Sequence, residues 1–509
     1  MRTAAAATRG DETLRRARPG NLTTLDPQRP LSAADMEIAA DLFTGLTAVD
    51  ARGAIVPGCA ERWQVSADGL RYEFQLRPGL RWSDGTPLTA ADFVASYRRL
   101  LAPATAALLA YRYDALRGAR ELRAGRAAPD TLGISAPDER RVVIELERPE
   151  TDLLKLAAVA YVTPAHAIAR LGRDWAKPPV IVVNGAYRPE SWAQNGTLAA
   201  VRNEHAGGVP ATAPARLEWV MGLDDPTRLR LFRAGELHVA QIAEGSQLAL
   251  ARRELAAQLH SVPFYGGGWV GLNLRRPALR DARLRRALAL AVDREVLALK
   301  VRQLAELPSE SLVPEAVADY PHHAQPEHAA WPMARRLALA RELAAAAGAS
   351  PRQPRPLLAI FSANPLTERT FLALAAMWSP LGVRIEARGL ESRAYSLALA
   401  QGEFDLMDYG VFSAVQSAAS FIGRFRSGMF LNYSGYADPG VDRALDAAER
   451  QVDPLQRARW YLEAEQQLLR DYPAIPLYSG VAHRLVSSRV RGWAANPGLA
   501  LPSQYLAFG

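Results

Sequence analysis

The sequence predicts an α/β protein of two or three lobes, and three observations support this prediction. The chain has 509 residues, which is more than a single hydrophobic core holds. Strand-like and helix-like segments alternate over 215–410, a pattern typical of layered α/β structure. Hairpin signals follow one another between 49 and 88. In such layered proteins, ligands bind in crevices between lobes.

The N-terminal part begins with a predicted strand and a predicted helix. Residues 14–25 alternate weakly and end in Asp26-Pro27, which indicates a strand followed by a turn. Residues 33–46 carry apolar side chains at helical spacing, so we expect a core-facing helix that stops at Gly45.

Three hairpins and a capped helix are predicted next. The hairpins are expected over 49–58, 61–76 and 81–88, with turns at Arg52-Gly53, Asp68-Gly69 and Asp84-Gly85. Thr89 then begins a helix that reaches Leu101, and Asp92 stands three residues on, in the capping-box position.

Helices alternate with strands through the second half of the chain. A helix is expected within 276–297, with Arg283, Arg285 and Arg286 mainly on its outer face. The Pro-rich run 307–332 is interpreted as a surface loop. The remaining predictions are helices at 334–347, 369–379 and 392–401, a strand at 383–388, and a buried strand that leads into a helix across Phe404–Phe421.

Composition narrows the class of protein. The net charge is +8 and the pI about 9.7, but the arginines are spread among acids along helices, which argues against nucleic-acid binding. Cys59 is the only cysteine, so an internal disulfide and a thiolate metal cluster are excluded. No run approaches the roughly 18 apolar residues of a membrane span, and no signal peptide is visible at the N-terminus.

Motifs for catalysis or metal binding are scarce. No nucleophile elbow, zinc-protease motif or phosphate-binding loop is present, and Gly266–Gly268 is interpreted as a crossover between lobes. His322, His323 and His328 lack an ordered metal-ligand spacing, and a solvated loop explains them. Asp405 and Asp408 are three apart on a predicted strand, which points them to opposite faces and argues against shared acid–base work.

Several spaced blocks resemble one known family. They occur in the order expected for extracellular solute-binding protein family 5, the oligopeptide-, dipeptide- and nickel-binding receptors of ABC importers. The blocks are the series 42–103 (LFTGLTAVDARGAIVPGCAERW and onward to LTAADFVASYRRLLAP), VVNGAYRPESW (182–192), FRAGELHVA (232–240), VGLNLRRPALRDARLRRALALAVDREVL (270–297) and RDYPAIPLYSG (470–480).

The resemblance implies a bilobal periplasmic-binding-protein fold of type II, in its large three-domain variant with an inserted small domain. Lobe I would be discontinuous, the small domain would be inserted early, and lobe II would close over the ligand. In this sequence lobe I would comprise 1–43, 163–262 and 479–509, the inserted domain 44–162, and lobe II 263–478.

The resemblance also implies two ligand-binding segments. In oligopeptide-binding members, a segment just before the first helix and a late Gly-aromatic segment pair with the ligand's main chain. Here these correspond to Ser32, Ala33, Ala34 and Asp35, and to Gly410, Val411, Phe412 and Ser413.

Three positions of the late segment depart from the family pattern. Aligned without gaps, Ala414 stands where peptide-binding members carry the aspartate that pairs with the ligand's α-amino group, and Val411 stands at the family's tryptophan. Asp408 falls where some members have a carboxylate-binding arginine, and an acid there repels a peptide C-terminus. Matching Asp408-Tyr409 to the family's Asp-Tyr instead requires a six-residue shift. Positive charge could come from nearby arginines: Arg369, Arg393, Arg424 and Arg426.

The expected function is a periplasmic solute-binding receptor of an ABC importer that captures an oligopeptide or peptide-like solute. Because Ala414 replaces the amino-anchoring acid, a receptor for a non-peptide or N-blocked ligand, such as a glycan, an opine or a metal chelate, is the alternative. We expect no catalysis, no cofactor and no metal. The expected partners are the small solute and the permease subunits in the inner membrane, with no nucleic acid, and the receptor is expected to be a monomer.

Overall fold

The computed structural model divides the chain into two compact units. Unit 1 comprises the described residues up to Ala243 together with Gln247–Val262 and Ala482–Gly509, and unit 2 comprises Glu244–Ser246 and Pro263–Val481. The residues that the structure describes are 13–30, 32–193, 196–208, 210–498 and 501–509. The three-lobe division expected from the resemblance stays a prediction.

The secondary structure is mixed α/β, as the sequence predicts. The strands are β1 (Thr13–Ala17), β2 (Thr47–Val49), β3 (Ile55–Pro57), β4 (Ala60–Val65), β5 (Arg71–Leu76), β6 (Ile134–Asp138), β7 (Arg141–Glu145), β8 (Tyr187–Trp192), β9 (Thr197–Arg202), β10 (Arg216–Val220), β11 (Val239–Ile242), β12 (Leu259–Leu272), β13 (Leu307–Pro308), β14 (Arg355–Ser362), β15 (Val383–Leu390), β16 (Leu406–Phe412), β17 (Ala474–Val486), β18 (Val490–Arg491) and β19 (Ala507–Phe508). The helices are α1 (Ala33–Leu42), α2 (Ala90–Leu101), α3 (Ala119–Arg123), α4 (Leu153–Val159), α5 (Ala165–Leu171), α6 (Asp225–Arg233), α7 (Gly245–Glu254), α8 (Pro277–Arg280), α9 (Ala282–Ala291), α10 (Met333–Ala346), α11 (Pro365–Trp378), α12 (Ser392–Gln401), α13 (Ala419–Ile422), α14 (Pro439–Arg450) and α15 (Pro454–Asp471).

The main sheet of unit 1 is built around β1. Its strands lie in the order β8-β9-β10-β1-β11-β17, and β1 is parallel to both of its neighbours. Leu14, Leu217 and Val239 point into one core from these three strands and are almost fully buried. Because the inner strands of such a sheet are covered, they carry apolar side chains with little exposure.

A second core of unit 1 lies between the four-stranded sheet β4-β5-β7-β6 and helix α2. Phe74 and Ile144 of the sheet and Phe93 of the helix are fully buried there. Helix α2 starts as predicted, because the Asp92 carboxylate accepts a hydrogen bond from the Thr89 backbone N–H at 2.8 Å.

The three predicted hairpin turns are confirmed. Gly53 and Gly69 adopt φ values of 86° and 70° between paired strands, a region that glycine enters without a steric penalty. In the third hairpin Gly85 has a φ of 86°, the Trp82 N–H donates to the Thr86 carbonyl at 2.9 Å, and the two short arms meet in one bridge between Arg81 and Pro87.

Two N-terminal elements are shorter than predicted. The strand expected over 14–25 ends at Ala17, and the helix expected over 33–46 ends at Leu42, after which Phe43 is extended. Gly45 lies outside the helix and packs directly against the backbone of Ala157, where a side chain has no room. Its role is therefore close packing rather than the end of the helix.

Unit 2 contains a sheet in the order β15-β14-β16-β12-β17, with β13 paired to β17. Helices α9, α10 and α11 pack around one core with it. Arg285 was predicted on the outer face of its helix, and this is wrong: the side chain is buried. Its guanidinium donates to the carbonyls of Asp471 at 2.6 Å and Leu279 at 2.9 Å, which compensates the burial.

The run 307–332 was interpreted as a surface loop, and the structure corrects this. Its apolar side chains enter the core of unit 2, around the fully buried carboxylate of Glu465. That carboxylate accepts hydrogen bonds from the Leu312 N–H at 2.6 Å, the Ala324 N–H at 3.0 Å and the Tyr320 hydroxyl at 2.6 Å. A loop without regular structure is buried here because one side chain pairs its backbone groups.

Candidate functional site

Strand β16 has a strand partner along one side and an open edge along much of the other. It pairs antiparallel with β12 over its whole length, but it pairs with β14 only at Leu406 and Met407. The Ser413 N–H donates to the Tyr265 carbonyl at 2.8 Å, which fixes the alternation of the antiparallel ladder. The backbone N–H and C=O of Gly410 consequently point away from β12.

The open edge is centred on Gly410. Its N–H and C=O have no hydrogen-bond partner among the residues that the structure describes. On either side of it the edge is closed by side chains, since the Asp408 carbonyl accepts from the Tyr395 hydroxyl and the Phe412 carbonyl accepts from Arg424 at 3.2 Å. One donor and one acceptor are thus free at the middle of the strand, which is what an added extended chain requires.

Side chains of β16 alternate between a buried and an open face. Tyr409 and Val411 are buried in the core of unit 2, whereas Asp408 and Phe412 are half-buried and Gly410 is exposed. A Cβ placed on Gly410 meets no other atom within 4 Å. The open face therefore carries an acid, a gap and an aromatic ring in succession.

Glycines of the neighbouring strands make room for aromatic rings on that face. Gly266, Gly267 and Gly268 were interpreted as a crossover; they lie inside β12 and pair with β16. The ring of Tyr478 occupies the space that a side chain at residue 268 needs, and the ring of Phe264 does the same at residue 266. The glycine run is explained by this close approach.

Asp408 is an acid without a polar partner for its carboxylate. Among the described residues, no hydrogen bond or ion pair reaches its side chain. Burial raises the pKa of Asp408 to about 6, while the positive charge of Arg302 opposes that shift. Arg302 itself is already neutralised, because its Nε and Nη2 donate to the Glu306 carboxylate, at 2.5 and 2.9 Å.

Ser413 and Ala414 directly follow the strand and contribute in different ways. The Ser413 side chain is buried, and its hydroxyl donates to the Val415 carbonyl at 2.7 Å and lies 3.0 Å from the Ser420 hydroxyl. It therefore shapes the turn after β16. Ala414 is half-buried and offers no polar side-chain atom where the family pattern has an acid.

The segment Ser32–Asp35 of unit 1 forms the start of α1 as a capping box. The Asp35 N–H donates to the Ser32 hydroxyl at 3.1 Å, and the Ser32 N–H donates to the Asp35 carboxylate at 2.9 Å. The same carboxylate accepts from the N–H and the hydroxyl of Thr23, at 2.8 and 2.6 Å. Ala33 is exposed and its carbonyl accepts from an arginine at 2.9 Å, whereas Ala34 is buried.

A buried charge cluster beside this helix start was missed in the sequence. The Glu37 carboxylate pairs with Arg16 at 2.9 Å, Arg18 at 2.7 Å and Arg484 at 3.2 Å. Burial alone raises the pKa of Glu37, but the three guanidiniums outweigh it and lower the pKa. Arg484 lies far along the chain from its partners, so no local pattern could have revealed the cluster.

The candidate residues thus form two sets, each within its own unit. Ser32, Ala33, Ala34 and Asp35 lie together in unit 1, and Asp408, Gly410, Val411, Phe412, Ser413 and Ala414 lie together in unit 2. Of the nearby arginines, Arg424 binds the Phe412 carbonyl, and Arg426 is paired with Asp446 and Glu449. Asp405 and Asp408 do not share chemistry, because Asp405 pairs with Arg276 at 2.9 Å.

The structure offers little for a metal. In the described parts of the chain, no three histidine, cysteine or acidic side chains come together as ligands. His328 is buried, with Glu310 at 3.5 Å and Tyr472 at 3.4 Å, and His323 lies 3.4 Å from the Ser311 hydroxyl. Likewise, no described helix is both long and apolar enough to cross a membrane.

Comparisons with known proteins agree on one family. A sequence profile for "Bacterial extracellular solute-binding proteins, family 5 Middle" matches residues 54–430. The chain is 32% identical to the "Probable deoxycholate-binding periplasmic protein YgiS" of Escherichia coli strain K12, over 92% of this chain and 88% of that protein. It is 29% identical to the "Periplasmic oligopeptide-binding protein OppA" of Salmonella typhimurium, over 95% and 90% respectively.

A solved structure extends the likeness to the fold. The crystal structure of Haemophilus influenzae OppA in complex with RPPGFSPFR superimposes with a TM-score of 0.89 at 26% sequence identity. The superposition covers 98% of this chain and 99% of that one. The predicted α/β fold of the periplasmic-binding-protein type is thereby confirmed.

Proposed function

This chain belongs to family 5 of the bacterial extracellular solute-binding proteins, and from that membership we propose that it is the solute-binding receptor of an ABC importer, with an oligopeptide or peptide-like solute as its ligand. The observation that carries the proposal is the unpaired backbone N–H and C=O of Gly410 at the open edge of β16. An extended peptide pairs its own main chain with such an edge without regard to its side chains.

The helix start of unit 1 supplies the second part of the proposal. In this proposal the ligand pairs with those backbone groups of Ser32, Ala33 and Ala34 that the protein leaves unused, because Asp35 already accepts from the Ser32 N–H and Arg18 already donates to the Ala33 carbonyl. The Asp35 carboxylate holds this backbone in shape through Ser32 and Thr23. In this assignment Val411 and Ser413 position the strand, since the first packs in the core and the second forms the turn.

A receptor for a non-peptide or N-blocked ligand is less well supported. Two of the three relatives described above carry a peptide in their names or crystal structure, whereas one is named for deoxycholate. The free N–H and C=O of Gly410 at a strand edge match a peptide main chain better than they match a sugar or a steroid. The replacement of the family acid by Ala414 bears on the ligand's amino end and leaves this pairing intact.

The setting follows from the family. Relatives are named as periplasmic proteins, and we place this receptor in the periplasm, where it delivers its solute to the permease subunits of its importer as a monomer. The family and its structural neighbours are binding proteins, and we propose that this chain catalyses no reaction.

A proline at residue 410 tests the central contact. Gly410→Pro removes the free N–H, whereas Gly410→Ala keeps it and adds one methyl group in open space. Calorimetry with alanine-based tri- to pentapeptides is expected to show at least a tenfold weaker affinity for the proline variant and less than a threefold change for the alanine variant. Equal affinities for both variants would contradict the role of Gly410. Failure of every peptide to bind the unaltered protein would contradict the function itself.

A further inference from the structure

The carboxylate of Asp408 lies on the open face of β16, beside the vacant space above Gly410. Its charge is not balanced within unit 2. Arg302 is the cation that acts on it, and Arg302 is paired through two nitrogens with Glu306. The three groups together carry one net negative charge, so the site lacks a cation.

The geometry of strand pairing says which ligand atom reaches this charge. When an extended ligand pairs with the open edge, the side chain opposite Gly410 points to the same face as Asp408 and Phe412. Directly opposite residues lie about 5 Å apart at Cβ, and diagonal ones about 7–8 Å. The space above Gly410 is open, since no described atom lies within 4 Å of a Cβ placed there. A long ligand side chain can therefore pass through this space and reach Asp408.

The walls of this space suit a long cation. Phe412 flanks it along the strand, and the ring of Tyr478 lies over Gly268, which is the cross-strand neighbour of Gly410. Aromatic rings pack against the aliphatic stem of a lysine or arginine. The Arg302 guanidinium already lies 4.2 Å from the centre of the Tyr478 ring, so Tyr478 contributes packing, and Phe412 is the ring that can attract the positive end. The aromatic walls thus hold the stem while the acid binds the charge.

We propose that the open face of β16 is a subsite for a long cationic side chain, so that the preferred ligands are peptides with lysine or arginine at the residue opposite Gly410. This inference rests on the proposed function. Some family members carry at the position of Asp408 an arginine that binds a ligand carboxylate. The proposed subsite has the opposite charge and binds a cation.

The same geometry makes the preference dependent on pH. Burial raises the pKa of Asp408 to about 6, so the acid is charged above that pH and neutral below it. Arg302, Tyr395 and Tyr478 interact with its charge, and Glu306 pairs with Arg302. Burial raises the pKa values of both tyrosines, so that they stay neutral. Preference for a cation is therefore expected to be strong at pH 7.5 and to weaken as the pH falls through 6.

A positional scan of peptides provides the test. Lysine, norleucine or glutamate replaces each residue of a pentaalanine in turn, and calorimetry at pH 7.5 measures affinity for protein that has been unfolded and refolded to remove bound ligand. At one position the lysine peptide is expected to bind about tenfold more tightly than the norleucine peptide, which has the same stem without the charge. The glutamate peptide is expected to bind about tenfold more weakly than the norleucine peptide there.

Variants assign the preference to one residue. In Asp408→Asn the lysine-to-norleucine ratio is expected to fall to within twofold. Asp405→Asn is the matched control, because Asp405 lies just before the same strand but is paired with Arg276, and it is expected to keep the ratio. A lysine preference that persists in Asp408→Asn, or no lysine preference at any position, overturns the inference and leaves the proposed function standing. If none of the peptides binds, both fail.

Discussion

Asp35 and Asp408 are two aspartates in the two predicted ligand-binding segments, and the structure uses them in opposite ways. The Asp35 carboxylate accepts hydrogen bonds from Ser32 and from both donors of Thr23, so it serves the fold of unit 1. The Asp408 carboxylate has no such partner within the described residues and lies on an open face of unit 2. The residue type is the same, and the number of satisfied hydrogen bonds separates a structural acid from one available to a ligand.

The largest effect is expected from removing the satisfied acid. Asp35→Ala removes the capping box and leaves the N–H and hydroxyl of Thr23 without their acceptor, which is expected to lower the free energy of unfolding by about 3 kcal/mol. Urea unfolding followed by circular dichroism measures the change. Asp35→Asn keeps one carbonyl acceptor and is expected to lose about half as much. A loss below about 1 kcal/mol for the alanine variant would contradict a structural role.

Removing the charge of Asp408, the unpaired acid, is expected to raise the free energy of unfolding. Burial raises the pKa of Asp408 from its ordinary 3.8 to about 6, so the folded protein binds a proton more tightly there than the unfolded chain does. Its contribution to stability is therefore greatest below about pH 4 and is lost as the pH rises through 6. Asp408→Asn is expected to match the unaltered protein at pH 4 and to exceed its free energy of unfolding by about 1–2 kcal/mol at pH 7.5.

Urea unfolding of both proteins between pH 4 and pH 8 measures how the difference in their free energies of unfolding changes with pH. Asp405→Asn is the control, since its carboxylate is held by Arg276 and by the Leu358 N–H, and it is expected to be destabilising throughout that range. If Asp408→Asn destabilised the protein at pH 7.5, Asp408 would have a structural partner, and the contrast with Asp35 would not hold.

Much of the fold could be predicted because local patterns determine it. Helix α12 has the predicted bounds, Thr89 and Asp92 cap α2 as the spacing indicates, and Gly53 and Gly69 form the predicted turns. Such features depend on residues a few positions apart. The resemblance to a family, carried by several spaced blocks, added the overall architecture.

The state of each candidate site residue could not be predicted in the same way. Glu465 orders a loop some 150 residues before it, and Glu37 pairs with Arg484, more than 400 residues away. A sequence pattern shows which side chains share a face of one element, but it does not show which distant group satisfies them. For that reason the sequence alone did not show that Asp35 is a structural acid and that Asp408 is available to a ligand.

A smaller change in stability is expected for Ser413, whose side chain has fewer hydrogen bonds than that of Asp35 but more than that of Asp408. Ser413 was predicted to bind ligand, yet its hydroxyl donates to the Val415 carbonyl at 2.7 Å and accepts from the Val415 N–H at 3.2 Å. Ser413→Ala leaves those buried backbone groups less well paired, and the free energy of unfolding is expected to fall by about 1 kcal/mol. The Gly410 edge lies three residues earlier and keeps its pairing with β12, so peptide affinity measured by calorimetry is expected to change by less than threefold. A tenfold loss of affinity with unchanged stability would instead place the Ser413 hydroxyl on the ligand, and Ser413 would then resemble Asp408 rather than Asp35.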